Sequence, residues 1–581
     1  MNKQTIYTSK VLRITGWLIL FILFSFFLQT IGSYNFCYIE EWGTFFYDAH
    51  YIRNILIYPG GCVHLIANFL IQFFVYPIVG VLITALLLTW ISFLTIRILY
   101  SLTNSNTLFF LGFFPVVGLL FLHFNVNYHY AGTIAFLLML GCVDTQLYFQ
   151  KFRSRFVFSL LSTVLLFIVA GAVAFLYGCL LFILELSRNP KQALLYVVVP
   201  LIVFLLGEIS IWSDLFGGLK HAILPDGYFT LRLHPGFIIY LPWILLFAVF
   251  LIGSIYKVKP FKKTWTKSVF LFLQIIGISY FVFFGTTNYI DTKNEFFKEL
   301  NYYARYNQWD KIVSRCGKRP ITNLLYQNYL NVAFAEKGIL ADKLFSYPCI
   351  DIRSIYVTGN KTPYISVLLS DVYFSMGHMA LSQRYAFEGN ESVGNYSPRM
   401  LQRLVQTNLA YGYYGTAQKY IRLLSKTLFY KDWVVRYQQF LWNDKAIELD
   451  TVLGAKRRCI FPDNRFSGYN GLDDDLKQII IHNPSHKTTI QYLGSLYLLS
   501  KDIERFRTTL EMFYNTPALP SVLPVSFQEG VLLFAAGDRN VLNDYQIQDN
   551  TIQRFKAYNQ RVLKDHRTLW HFLNLKTEDK L

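Results

Sequence analysis

Apolar and polar positions follow two regimes along this chain. Through residues 1–290 apolar residues form long runs broken by short polar stretches; beyond them, loop-then-helix units with amphipathic faces take over. A helix needs about 20 mostly apolar residues to cross a bilayer. The first regime offers candidates at 14–32, 77–99, 107–123, 129–149, 156–170, 172–186, 194–212, 237–256 and 268–290. The pattern predicts an all-α chain: a transmembrane bundle of about nine spans over 1–290, then a soluble α-helical-repeat domain over 291–581. The first run is too long for a signal-peptide core and lacks a small-x-small cleavage site, so it reads as an uncleaved anchor.

Two runs resist a simple count. Residues 62–99 are continuously apolar, too long for one crossing, and residues 156–186 are too long for one and short for two. Charge decides between the options, because Lys and Arg of short loops stay in the cytoplasm. The clusters Lys3/Lys10/Arg13, Lys151/Arg153/Arg155, Arg188/Lys191 and Lys257/Lys259/Lys262/Lys263/Lys267 must share one side. Residues 62–76 then do not cross but lie against the membrane, ending at Pro77, and 156–186 goes in and returns through a turn near Gly171. This places 14 of the 17 basic residues of 1–290 inside, with Arg53, Lys220 and Arg232 outside. The expectation is an inner (cytoplasmic) membrane protein with a cytoplasmic N-terminus and an extracytoplasmic C-terminal domain.

Composition agrees. Charged residues are 15% of the chain, against roughly 25% in ordinary soluble domains. Residues 1–290 hold only 8 acids and 291–581 hold 28, so the main boundary falls near 286–293. No nucleic-acid motif accompanies the basic balance. None of the seven cysteines forms a CxxC, which disfavours a zinc or redox site. Cys316 could pair with Cys349 in an extracytoplasmic domain, or both could be free buried thiols.

The first outer loop carries the candidate chemistry. Glu40 and Glu41 follow the first span by a few residues, then come Asp48, His50, Arg53 and Asn54, and Pro59-Gly60-Gly61 forces a turn. His50 and Asn54 share a helical face, and His64, Asn68 and Gln72 put a polar stripe on an apolar helix. A carboxylate here (Glu40, Glu41 or Asp48) could act as general base or hold a divalent metal. Arg53 and His64, with His50, could hold a phosphate. Asn125, Asn127 and His129, and the loop residues Asp214, Lys220, His221, Asp226, Arg232 and His234, could join the pocket. The plain alternative is a hydrated interfacial loop.

Residues 1–300 resemble the GT-C glycosyltransferase architecture in four features: the acidic pair after helix one, juxtamembrane helices in place of a crossing, an odd span count, and a soluble domain after the last span. The resemblance implies a transferase using a polyprenyl-phosphate sugar, with Glu40 or Glu41 as base or metal ligand. The residues rank Glu41 slightly first, as the nearer to the segment carrying Asp48. The whole chain also resembles an uncharacterised bacterial family of polytopic membrane proteins with a TPR-like tail. Glu40-Glu41-Trp42, Tyr58-Pro59-Gly60-Gly61, Asn307-Gln308-Trp309-Asp310, Tyr329-Leu330-Asn331 and the run from Tyr492-Leu493-Gly494 to Phe506 carry that likeness.

In the second half, turn-helix units recur at Asn307, Lys337, Met376, Tyr414 and Lys501, at spacings of about 30 to about 40 with one gap about twice that, against roughly 34 in TPR-type arrays. Residues 457–470 read as a loop. A repeat surface suits a protein partner. The rivals to a transferase are a membrane-anchored scaffold for protein assembly and, third, a transporter. Against a transporter stand the lack of an inverted repeat and the few intramembrane charges.

Overall fold

The computed structural model describes residues 3–230, 235–255, 264–319, 321, 323–461, 471–560 and 566–574. It is all-α, and among the described residues pairing outside helices is limited to the isolated bridges Tyr128–Phe229 and Tyr514–Leu519. Two compact units form, one from Met1–Glu40 and Thr44–Glu295, the other from Glu41–Gly43 and Phe296–Leu581.

Five described helices are long and apolar enough to cross a membrane: Ile14–Trp42, Pro77–Thr103, Phe152–Ala170, Pro190–Trp212 and Trp265–Tyr289. This corrects the expected nine. Hydropathy runs on through turns, whereas helices stop at them. Ala131–Gln146 and Val173–Arg188 have 16 residues each. At 1.5 Å per residue these reach about 24 Å, short of a hydrocarbon core of about 30 Å. The 107–123 candidate breaks into a 3-10 stretch, Asn106–Phe113, and a nine-residue helix, Phe114–Leu122.

The two ambiguous runs divide as expected. Gly61–Ile71 and a 3-10 turn end at Tyr76, and a new helix starts with Pro77, whose missing N–H suits a first turn. Phe152–Ala170 and Val173–Arg188 meet at Gly171, where φ is +81°. The first helix differs from expectation. It continues to Trp42 through a non-helical Gly32, so the acidic pair sits on its last turn instead of in a loop. Glycine is required at that kink, because a Cβ there would lie 2.4 Å from the Phe124 ring.

Loops of this unit meet in two groups. In the first, the Gly60 N–H donates to Ile168 O (2.9 Å) and the His129 N–H to Tyr228 O (2.8 Å). Tyr228 Oη donates to Ala170 O (2.5 Å) and accepts from the Val173 N–H (3.1 Å). The Thr230 N–H donates to Asn127 O (3.1 Å). In the second, Arg97 pairs with Asp144 (3.0 Å), and Arg155 pairs with Glu185 (2.7 Å) while donating to Gln150 O (2.6 Å). One continuous buried apolar cluster lies between them, while side chains such as Leu18, Ile22, Phe26, Leu86, Leu161 and Leu205 point outward, as lipid contact demands.

In the second unit, all five turn-helix sites pass through a left-handed residue: Asn307, Gly338, Gly377, Gly412 and Lys501. Helices follow at Trp309–Cys316, Leu340–Lys343, Met379–Ser392, Tyr414–Ser425 and Ile503–Phe513. Pro363–Met376 and Met379–Ser392 approach closely enough for Ser370 and Ser382 to exchange hydroxyl-to-carbonyl bonds (3.0 and 2.9 Å). The unit is not a simple array, in which each repeat meets only its neighbours. Lys487–Leu499 returns to pack on Leu324–Glu336, Leu340–Lys343 and Pro363–Met376. Of the expected 457–470 loop, Arg457 and Arg458 end the helix Leu453–Arg458 and 462–470 lie outside the described residues. Cys316 and Cys349 are buried thiols not joined in a disulfide, which is the second of the two readings the sequence left open. Burial and the nearby Glu299 push the Cys316 thiol up to about 12.

Candidate functional site

The acidic pair divides between the units. Glu40 is fully buried and belongs to the first. Glu41 belongs to the second, where Arg399 Nη1 donates to its Oε1 (2.6 Å) and Asn301 Nδ2 to its Oε2 (2.6 Å). Ser397 Oγ donates to its main-chain carbonyl (2.8 Å), and Trp42 packs against Val367, Ala386, Met400 and Leu404. Arg399 also binds Asp371, which Arg403 meets at 2.8 Å, and Tyr329 Oη donates to Asn301 Oδ1 (2.7 Å). Burial pulls the Arg399 guanidinium down, but Asp371 and Glu41 outweigh it and leave its pKa above the ordinary value. Both Glu41 oxygens therefore have charged or amide donors.

The other residues of the first loop lie in the first unit. Asp48 precedes Ala49–Leu56 without a side-chain cap bond. The Asn54 amide meets His50 Nδ1 at 3.1 Å, as their spacing of four predicts, and Arg53 is exposed. The polar stripe splits its work. Asn68 donates to Tyr51 Oη (2.8 Å), and Gln72 accepts from Tyr47 Oη (3.3 Å), so both fasten the 44–51 segment. His64 faces His129 instead, ring centroids 5.7 Å apart and edge-to-face.

The 125–129 and 213–235 loops join through the bonds at His129 and Asn127 already described. Within the second of these, Asp226 accepts from Tyr240 Oη (2.7 Å), Lys220 and Asp214 are exposed, and His221 is half-buried. Arg232 and His234 lie outside the described residues. The structure thus unites His64 and His129, and leaves His50 and Arg53 on a separate exposed helix.

Sequence reasoning missed a buried polar chain in the same unit. Asn35 Nδ2 donates to His123 O (2.6 Å), His123 Nε2 lies 3.1 Å from Thr133 Oγ1, and Thr133 lies 3.2 Å from Tyr128 Oη. The run His123-Phe-Asn-Val-Asn-Tyr-His-Tyr130, dense in hydrogen-bonding groups between two apolar stretches, was the available signal. Arg399 and Asn301 had none, since Glu41 is 358 and 260 residues away from them. Among the described residues no group of three or more His, Cys, Asp or Glu is arranged to hold a metal ion.

Residues 9–574 match DUF6057, a family of unknown function. The chain belongs to that family. The match runs through both units, so the membrane helices and the helical domain are family features together. No curated protein and no solved structure matches the chain.

Proposed function

We propose that this chain is a membrane glycosyltransferase of GT-C type, taking a sugar from a polyprenyl-phosphate carrier, with Glu40 as the proton-accepting group. One arrangement supports the reading: a long first helix ends at the acidic pair, and two short helices, Ala49–Leu56 and Gly61–Ile71, precede the next long helix at Pro77. Glu41 is engaged by Arg399 and Asn301. Glu40 belongs to the unit that holds these two helices and Glu41 to the other, so the order of the two acids reverses and Glu40 is the better candidate. An acceptor hydroxyl or amide must lose a proton as the anomeric carbon is attacked, and a carboxylate within hydrogen-bond reach takes it. His64 with His129, and Lys220 with His221, supply groups suited to the carrier phosphate, and Arg53 a charge nearer solvent. A divalent metal would need ligands from the substrate as well. The basic residues of the second loop group face the cytoplasm in this reading, and the helical half is a TPR-like repeat domain on the outer side of the inner membrane.

The test is sugar transfer from a polyprenyl-phosphate donor by purified variants with matched folding. Glu40→Gln should slow transfer about 100- to 10,000-fold, the usual worth of a general base. Glu41→Gln should appear first as lost stability. A Glu40→Gln enzyme as fast as the parent sinks the proposal. A second reading, a membrane-anchored scaffold for protein assembly, draws on the saturation of Glu41: a buried ion pair is a structural use of that acid. It expects no transfer by either protein.

A further inference from the structure

The second unit holds a surface cleft of about 280 Å³ lined by Asp473, Asp474, Lys477, Arg505, Thr508 and Met512. Its walls are the first half of Leu472–His482 and the face of Ile503–Phe513, which both pack on the intervening Lys487–Leu499. Two carboxylates and two cations make the lining neutral in sum, so the cleft offers no net attraction to a charged ligand. We propose that this cleft binds a neutral polyhydroxyl ligand, a saccharide, through paired acceptors and donors whose hydrogen-bonding capacity is not used up.

The distances make the case. In the buried cluster of the same unit, Arg399 and Glu41 meet at 2.6 Å, the short contact of a saturated charge-assisted pair. In the cleft, Lys477 stands 3.5 Å from Asp474, and Arg505 stands 3.4 Å from both Asp473 and Asp502. These are loose ion pairs at partly exposed positions, which contribute little on their own. Asp473 is held in place on one oxygen by Tyr497 Oη (2.9 Å), so the carboxylate is positioned before any ligand arrives. Thr508 Oγ1 already donates to Glu504 O (2.9 Å), which leaves its oxygen as an acceptor. A sugar hydroxyl both donates and accepts. A diol can therefore bridge a carboxylate and a neighbouring cation here, while Met512 and the Lys477 and Arg505 stems offer apolar surface to the C–H face of the ring.

This inference does not depend on the transferase reading. An unslowed Glu40→Gln enzyme would leave it standing, and an empty cleft would leave Glu40 untouched. The test uses the full-length chain in lipid nanodiscs and saturation-transfer NMR with neutral trisaccharides of glucose, mannose and N-acetylglucosamine. At least one should bind with a Kd below about 10 mM, a bound set by the few hydrogen bonds available. Asp474→Asn combined with Arg505→Gln should weaken it at least about tenfold, or about 1.4 kcal/mol, with the melting temperature unchanged. Absence of binding by all three sugars overturns the proposal. So does binding indifferent to the double substitution, or stronger binding of inorganic phosphate or a uronic-acid trisaccharide at the same residues.

Discussion

Adjacent residues can meet opposite fates when a helix ends where two folding units share the chain, and Glu40 and Glu41 do. The pair was conspicuous in the sequence as two acids beside a long apolar run. That Glu41 pairs with Arg399 was not, because Arg399 lies 358 residues beyond it and no local pattern encodes such a pairing. Sequence spacing served better over short range, as the His50–Asn54 contact shows. At the same scale, His486 offers a measurable pH effect. Its Nε2 meets Lys456 Nζ at 2.9 Å and its Nδ1 meets Thr489 Oγ1 at 2.7 Å, in a buried setting. Burial first, and Lys456 second, hold its pKa well below 6.5. The unfolded chain takes up that proton near 6.5 while the folded chain does not. The unfolded state therefore binds more protons, and stability falls as pH drops below about 6.5. We expect His486→Gln to lessen the decline between pH 6.5 and 5, by up to about 1.4 kcal/mol per pH unit. Melting temperatures of parent and variant across that range check it, and parallel curves would refute it.

Among elements, the turns were the most legible. Glycine and asparagine before an amphipathic run marked four of the five turn-helix sites read from the sequence, and Lys501 took the same left-handed conformation ahead of Asp502, whose side chain caps the next helix. Helix lengths were less legible, since a hydropathy window passes over a turn built from apolar residues. The return of Lys487–Leu499 onto earlier helices was invisible for a different reason: a buried helix shows apolar residues on every side and does not name its neighbours. The turn at Gly171 carries a direct test. Its φ of +81° and ψ of −132° suit glycine alone, and Gly60 packs against it, with a Cβ on Gly60 falling 3.1 Å from Ala170 O. Gly171→Ala should cost about 1–3 kcal/mol and separate the first loop group. Thermal unfolding of the purified full chain measures it, and an unchanged melting temperature would show that this turn bears no strain.

At the scale of the molecule, the sequence exposed the division into a charge-poor half and a charged half, and the all-α character of both. The Arg97–Asp144 and Arg155–Glu185 pairs fall together in one loop group, whereas the turns at Gly60 and Gly171 fall in the other. The grouping was not readable from hydropathy; the orientation rests on the basic residues alone. A C-terminal fusion at Leu581 to a reporter active only outside the cytoplasm should therefore be active, and one active only in the cytoplasm should be silent. The reverse pair of results would overturn the orientation and the outer-face site with it.

The place of Glu41-Trp42-Gly43 within the second unit bears on how the protein is made. Its ion-pair partner Arg399 leaves the ribosome 358 residues later, which at roughly 5–20 residues per second is a delay of about 20–70 s. Throughout that interval a carboxylate destined for a dry interior must stay hydrated. A chain begun at Phe296 would never receive it at all, and Arg399 would be left to Asp371 and the Asn301 amide oxygen. The second unit is thus incomplete as a contiguous stretch of sequence, and a gene fragment cut at the obvious boundary omits three of its residues.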